Sequence, residues 1–184
     1  MYCSKNQRGM LMIEVLVTIL IVTLGLLGIA ALFARSQQIN DEAYQRFQAL
    51  HIARQLGEAM SVNPTEANNG AGSAYVVAKV DADYTAPSGT SPQVAADMMN
   101  FRNALVGAGS ATDKLALVGA IGCVTYIDQS ANAANPIIFY RISVAWTGRQ
   151  ATGAPQVGAS DCGSGIVDGG DEALRRVVSY DVQV

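Results

Sequence analysis

The apolar run at residues 10–34 constrains this chain more than any other feature of its sequence. Apart from Glu14 and two threonines, the run contains only apolar residues and glycine. About twenty such residues are enough for a helix to cross the hydrocarbon core of a bilayer. Lys5 and Arg8 precede the run and no acidic residue does. Because positive charge stays on the cytoplasmic side, we expect a cytoplasmic N-terminus and an exported C-terminal part.

Glu14 argues against a secretory signal peptide. Such a peptide has a shorter apolar region, which ends in small residues at a cleavage site. On insertion scales a carboxylate costs about 2.5 kcal/mol or more at the centre of a membrane helix, and less near the interface. Glu14 therefore needs a partner or a function. The alternative is an incidental polar residue at the membrane boundary.

Gly9, Met10 and Glu14 resemble the processing motif of type IV prepilins. That motif is a short basic leader ending in Gly, then an apolar residue, with Glu at the fifth position of the mature chain. The resemblance implies that a prepilin peptidase cuts between Gly9 and Met10 on the cytoplasmic face and methylates the new amine of Met10. Met at the first mature position departs from the family's usual Phe. The apolar segment is expected to be retained after this cut.

In a bundle of apolar helices, an ionised carboxylate is costly unless a cation lies close to it. The free amine of Met10 in a neighbouring subunit can be that cation. We therefore predict that Glu14 pairs with this amine across a subunit interface and sets the axial register during assembly.

The helical pattern continues beyond the apolar run, over residues 35–62, where polar residues alternate with apolar ones at steps of three and four. This spacing predicts an amphipathic helix whose apolar stripe covers a sheet. We expect the helix to break at Val62-Asn63-Pro64, because a residue that precedes proline is pushed out of helical geometry. The predicted stripe consists of Ile39, Ala43, Phe47, Leu50, Ala53, Leu56 and Met60.

The rest of the chain, residues 63–184, predicts a small globular domain. A loop-like composition over 63–92 contains a short strand candidate at 74–80, and Ser91-Pro92 predicts the start of a helix that ends near Gly107. Strand candidates follow at 115–127, 138–146 and 178–184. The predicted class is α+β, and the outline resembles the type IV pilin fold, in which a long N-terminal helix packs on a C-terminal antiparallel sheet. Its expected parts are leader 1–9, membrane and assembly helix 10–34, amphipathic helix 35–62 and periplasmic domain 63–184.

The chain has three cysteines, Cys3, Cys123 and Cys162. If the leader is removed, Cys3 is lost with it and an even pair remains in the exported part. An oxidising periplasm favours a disulfide between Cys123 and Cys162. We expect its role to be structural, since the spacing gives neither a metal signature nor a redox motif.

Little in the sequence points to catalysis or to small-molecule binding. A single histidine, His51, does not define a catalytic arrangement. Asp168, Asp171 and Glu172 lie in a glycine-rich loop, but they do not fit an EF-hand, and a solvated acidic turn is the expectation. The formal charge is −3, and removing Lys5 and Arg8 with the leader makes it −5, so no basic face for nucleic acid is expected. We predict no enzyme activity, cofactor, metal site or small-molecule substrate.

Several later stretches narrow the resemblance to minor pilins of the type IV pilus, PilV type. The resemblance implies a subunit that joins other minor pilins at the inner membrane and primes polymerisation of the major pilin, in systems for adhesion and twitching motility. A place at the pilus tip, supporting display of an adhesin, is a further expectation. The alternatives are a minor pseudopilin of type II secretion, which begins almost identically, and a single-pass membrane binding protein that forms no filament. The stretches are ARQLGEAMSVNP, GCVTY, YRISVAWTG and RRVVSYDV.

Overall fold

The structure is a computed structural model that describes residues 12–107, 117–128, 138–153, 155 and 161–184. The chain divides into two compact units, with the boundary between Asp41 and Glu42. The first unit contains the N-terminal part of helix α1, and the second contains the rest of α1 and the other elements. The elements are helices α1 (Met12–Val62), α2 (Pro64–Ala67) and α3 (Pro92–Val106), strands β1 (Val77–Val80), β2 (Ile121–Asp128), β3 (Ile138–Thr147) and β4 (Arg175–Gln183), and 3-10 turns at Gly70–Gly72 and Val167–Gly170.

The described strands form one antiparallel sheet in the order β1-β2-β3-β4. The pairing of β2 with β3 and of β3 with β4 runs without a break in register. A long N-terminal apolar helix and a C-terminal four-stranded antiparallel sheet are thus present, and the α+β class predicted from the sequence is confirmed. The fourth strand, β1, lies within the short strand candidate at 74–80 and pairs with β2 at the edge of the sheet.

One face of the sheet carries the main hydrophobic core of the second unit. Alternate residues of β3, including Tyr140, Ile142 and Trp146, are buried against the C-terminal part of α1 and against α3. These residues share one face of the strand, which has a period of two, and Ser143 and Ala145 between them are also buried, on the opposite face. The α1 residues that are buried are Ala49, Ile52, Ala53, Leu56, Gly57 and Met60.

The predicted apolar stripe of α1 is wrong in its N-terminal part. Phe47 is 67% exposed and Ile39 is 62% exposed, whereas Ala53, Leu56 and Met60 are buried as expected. An α-helix turns by about 100° per residue, so Phe47, nine residues before Leu56, lies on the opposite side of the helix. Ala43 and Phe47, which are both exposed, therefore lie away from the face that meets the sheet, whereas Ile39 belongs to the first unit, outside the part of α1 that has buried residues.

Local sequence signals set the helix ends. The side chain of Ser91 accepts a hydrogen bond from the backbone N–H of Val94, and Gly107 ends α3 with φ of 68°, a conformation that favours glycine. Helix α1 ends at Val62, directly before Asn63-Pro64. The strand boundaries differ more from the prediction than the helix ends do. Strand β2 begins at Ile121, and β4 begins at Arg175, three residues before the predicted start.

Gly122 in β2 is a point of close approach between the sheet and α3. A Cβ atom there would come within 2.9 Å of Leu105 Cδ1 and still closer to the Phe101 ring. Because overpacking of a well-filled core costs about 1–3 kcal/mol, we expect Gly122→Ala to lower the free energy of unfolding by that amount. Urea unfolding followed by fluorescence of Trp146, which is 1% exposed, measures the change.

The matched control for this prediction is Gly72→Ala, because a Cβ atom at Gly72 meets nothing within 4 Å. The control is expected to unfold at the same urea concentration as the parent chain. Equal unfolding midpoints for Gly122→Ala and Gly72→Ala would contradict the packing account.

Candidate assembly segment

The N-terminal part of α1 is long and apolar enough to cross a membrane. Among the described residues, α1 is the one helix that is long and apolar enough to do so, and its most apolar 18-residue window has a mean hydropathy of 2.8. The side chains of that window are not buried within the chain. Leu16, Leu27 and Leu32, for example, are all exposed. Leaving so much apolar surface in water is unfavourable, so the segment fits single-pass anchoring in a lipid bilayer.

The polar side chains of this segment are compatible with an apolar surrounding, apart from Glu14. The hydroxyl of Thr18 donates to the carbonyl of Val15 at 2.8 Å, and that of Thr23 donates to the carbonyl of Leu20 at 2.9 Å. Both hydroxyl protons are therefore bound within the helix, as a low-dielectric environment requires. A Cβ atom at Gly25 or Gly28 would meet nothing within 4 Å.

Glu14 lies near the described start of α1, and its side chain is exposed. It forms no ion pair or hydrogen bond within the described part of the chain. It is also the sole charged residue between Met12 and Ala34. If the Glu14 carboxylate is buried in lipid or in a helix bundle, its partner must therefore come from outside the described part of this chain. Gly9 and Met10, the predicted processing residues, lie outside the described residues.

Cys123 and Cys162 are joined by a disulfide, the pair that the cysteine count favours, with their Cα atoms 5.7 Å apart. Both cysteines are buried in a small cluster on the second face of the sheet, with Ile121, Ala145 and Val167. The bond ties β2 to the loop that precedes β4. It therefore closes a chain segment that contains all of β3.

Glu172 organises the loop that the disulfide holds. One of its carboxylate oxygens accepts hydrogen bonds from the backbone N–H of Gly165 at 2.9 Å and from the Ser164 hydroxyl, and the other pairs with the Arg175 guanidinium. These interactions, the Gly165 N–H foremost, hold the pKa of the Glu172 carboxyl below its usual range. Glu172 thus serves the loop's own structure. The side chain of Asp168 lies outside the described residues.

A buried polar network joins the end of α1 to α3. The Tyr75 hydroxyl donates to Asp97 at 2.6 Å and accepts from the Asn63 side-chain amide at 3.1 Å, while Gln93 donates to the other Asp97 oxygen. Tyr75 is fully buried and Asp97 nearly so. Burial, together with the bond to Asp97, raises the pKa of the Tyr75 hydroxyl well above its usual value. The network was not predicted, because nothing in the local sequence links Tyr75 to a residue 22 positions later.

Removing the Tyr75 hydroxyl is expected to destabilise the second unit. Tyr75→Phe leaves the buried Asp97 carboxylate without one of its donors, and hydrogen bonds to charged groups contribute about 1.5–3 kcal/mol. We expect the free energy of unfolding to fall by that amount in urea titrations. Tyr84→Phe is the control, because no hydrogen bond of the Tyr84 side chain is found within the described residues, and a similar loss in both variants would contradict this role for the network.

Two long-range contacts bind the second unit's part of α1 to the sheet. Arg176 of β4 pairs with Glu42 at 2.6 Å, and the Trp146 indole N–H donates to the Gln45 side chain at 3.3 Å. Neither contact was predicted from the sequence, and periodicity gives no signal for pairs more than a hundred residues apart. They fix the rotation of α1 that leaves Phe47 exposed.

The described residues do not bring together a catalytic or metal-binding set. His51 is exposed, stacks on Phe47 with the ring centroids 6.4 Å apart, and contacts the Gln55 amide at 3.2 Å. No group of three His, Cys, Asp or Glu side chains within the described ranges is placed to hold a metal ion. A cleft of about 300 Å³ between α1 and α3 is lined by Glu58, Asp97 and Asn100 among others, without a nucleophile and base in contact.

The chain matches no protein-family model, no curated protein and no solved structure.

Proposed function

We propose that this protein is a minor pilin, which joins other minor pilins at the inner membrane and primes assembly of a type IV pilus. The observation that carries the proposal is the sequence motif Gly9-Met10 with Glu14, which stands at the start of the apolar run, together with the membrane-length helix that the structure describes from Met12 onward. An anchor for a monomeric membrane protein has no need of a carboxylate inside its apolar run. An assembly helix that moves from lipid into a helix bundle does need such a carboxylate, if the carboxylate pairs in the bundle with the N-terminal amine of a neighbouring subunit.

The physical layout supports this proposal. The apolar part of α1 is exposed along its length, so it can lie in lipid before assembly and against other helices afterwards. The second unit has its own core and a disulfide, as expected of a domain that folds in the periplasm. In this account the fold is that of a type IV pilin, the N-terminus is cytoplasmic before processing, and the globular domain is periplasmic and later part of the pilus.

The proposed partners follow from the same account. They are the prepilin peptidase, inner-membrane lipid, the other minor pilins and the major pilin, with an adhesin at the pilus tip as a further partner. The protein acts without catalysis, cofactor or small-molecule substrate. A minor pseudopilin of a type II secretion system is the second candidate, because such proteins begin almost identically.

Deleting the gene separates these two candidates. Sheared surface pili and total cellular major pilin are scored together with secreted enzyme activity from the same culture. We expect surface pili to fall at least tenfold, with major pilin retained in the cells and secretion unchanged. The parent gene supplied in trans is the control for polar effects. Normal pili with impaired secretion would contradict the minor-pilin role and favour the pseudopilin.

A further inference from the structure

Strand β4 forms one edge of the sheet and is long and regular. It runs for nine residues and pairs with β3 at every position from Arg175 to Gln183. The other edge, β1, has four residues, and its register against β2 shifts between Val77 and Val80. Short or irregular edge strands resist pairing with further strands, whereas long regular ones invite it. The two edges of this sheet therefore differ in their capacity to accept another strand.

The outer backbone groups of β4 have no backbone partner among the residues that the structure describes. The N–H of Val184 donates to Ile138, and that of Gly148 donates to Leu174. Because hydrogen bonding alternates along an antiparallel pair, the even-numbered residues of β4 bond to β3 and the odd-numbered ones point outward. Val177, Ser179, Asp181 and Gln183 thus direct their N–H and C=O groups away from the sheet, with no backbone partner in the described part of the chain.

The charged side chains of β4 that could keep a further strand away from this edge form ion pairs within the domain. Arg175 pairs with Glu172 at 2.5 Å and Arg176 with Glu42 at 2.6 Å. Asp181 pairs with Arg141, which lies opposite it on β3, at 2.8 Å. Charged side chains at an edge normally discourage a further strand. Here these three point toward the domain's own partners, and the strand contains neither proline nor a bulge.

A basic flank of α1 borders the same edge. Gly57 lies against Tyr180 of β4, and the Arg54 guanidinium carbon is 5.8 Å from the centroid of the Tyr180 ring. Helical spacing places Arg46 on this flank, two turns before Arg54. Neither arginine forms an ion pair within the described ranges. Of the acidic residues one turn from these arginines, Glu42 pairs with Arg176, and Glu58 lines the cleft between α1 and α3.

We propose that the outer edge of β4 accepts an extended segment of another protein as a fifth strand, with acidic and apolar residues of that segment facing α1. Main-chain hydrogen bonds would supply the affinity. Val178, Tyr180 and the neighbouring flank of α1 would select the side chains of the added strand that lie on the same face of the sheet. Arg46 and Arg54 select acidic residues by charge. A second copy of β4 is a poor occupant, because its row facing α1 includes Arg176 and no acidic residue.

A designed peptide tests this surface on the full chain in detergent micelles. The fluorescent nine-residue probe has threonine at every second position and valine, glutamate, valine, glutamate, valine at the others. Fluorescence anisotropy is expected to detect binding. Ser179→Pro removes an outward N–H and should weaken binding at least tenfold, while Ser179→Ala, which keeps that N–H, should change it less than twofold. Proline is tolerated at an edge where the N–H faces solvent, and Trp146 fluorescence checks the fold.

The charge of the probe tests the role of the basic flank. With lysine in place of both glutamates, binding is expected to be at least tenfold weaker, and Arg54→Glu should reduce the difference between the two probes. Absence of binding, equal binding to Ser179→Pro and Ser179→Ala, or preference for the lysine probe would each overturn the proposal. So would sedimentation of the chain as a dimer that Ser179→Pro dissociates, since the occupant would then be a second copy. The surface lies within the second unit, so these outcomes are independent of the minor-pilin role.

Discussion

Replacing both Cys123 and Cys162 with alanine is expected to lower the free energy of unfolding by about 4 kcal/mol, on the chain-entropy model for a disulfide that closes a loop of this size. The two cysteines are 39 positions apart, and the loop between them contains β3, the most buried strand. Without the bond, the conformational entropy of the unfolded chain rises, whereas that of the folded state hardly changes. A loss of this size is a large part of the stability of a small domain.

Urea unfolding of the full chain in detergent, followed by Trp146 fluorescence, measures this loss. Because the indole is buried and hydrogen-bonded to Gln45, its emission reports the contact between α1 and the sheet. The matched control is Cys3→Ala, which leaves the disulfide intact and should not change the midpoint. A double-alanine variant within 1 kcal/mol of the parent would contradict a stabilising role for the bond.

Replacing Glu14 with alanine is expected to reduce incorporation into filaments at least tenfold. In the proposed assembly, the carboxylate pairs with the Met10 amine of a neighbouring subunit in a low-dielectric helix bundle. Removing one partner of a buried ion pair costs about 3–5 kcal/mol, because the other charge is left uncompensated. The amount of this protein in sheared pili, relative to the amount in the membrane, measures incorporation.

The control for this prediction is Thr18→Val, which changes a polar residue one turn further along the same apolar segment. Its hydroxyl bonds to the Val15 carbonyl within the helix, so we expect its loss to leave incorporation nearly unchanged. The membrane level and the intact mass of each variant establish that it is stable and processed. A Glu14→Ala protein that is processed, stable and incorporated as well as the parent would contradict the pairing.

Much of the second unit could be predicted because its signals are local. Ser91-Pro92 and Gly107 bracket α3, Asn63-Pro64 follows the end of α1, and the alternation around Trp146 marks β3. These residues act through backbone geometry within one turn or through a period of two. The class and order of the main elements follow from them without knowledge of any tertiary contact.

The rotation of α1 and the start of β4 could not be predicted in this way. A helix with apolar residues on more than one side gives no single face, and the choice depends on distant partners such as Glu42 with Arg176. Arg175 and Arg176 precede the apolar alternation at 178–184, yet both belong to β4, and both pair with acidic residues outside the strand. The unpaired edge of β4 is a property of strand order, which no local pattern specifies.

The most direct test of the central claim is the intact mass of the protein purified from cells that contain a prepilin peptidase. The account predicts a chain that begins at Met10, lacks residues 1–9 and carries one added methyl group on its N-terminal amine. A Gly9→Val variant should retain the leader. A parent chain that keeps residues 1–9 would contradict every pilin and pseudopilin interpretation, and a cut after the apolar run would identify that run as a signal peptide.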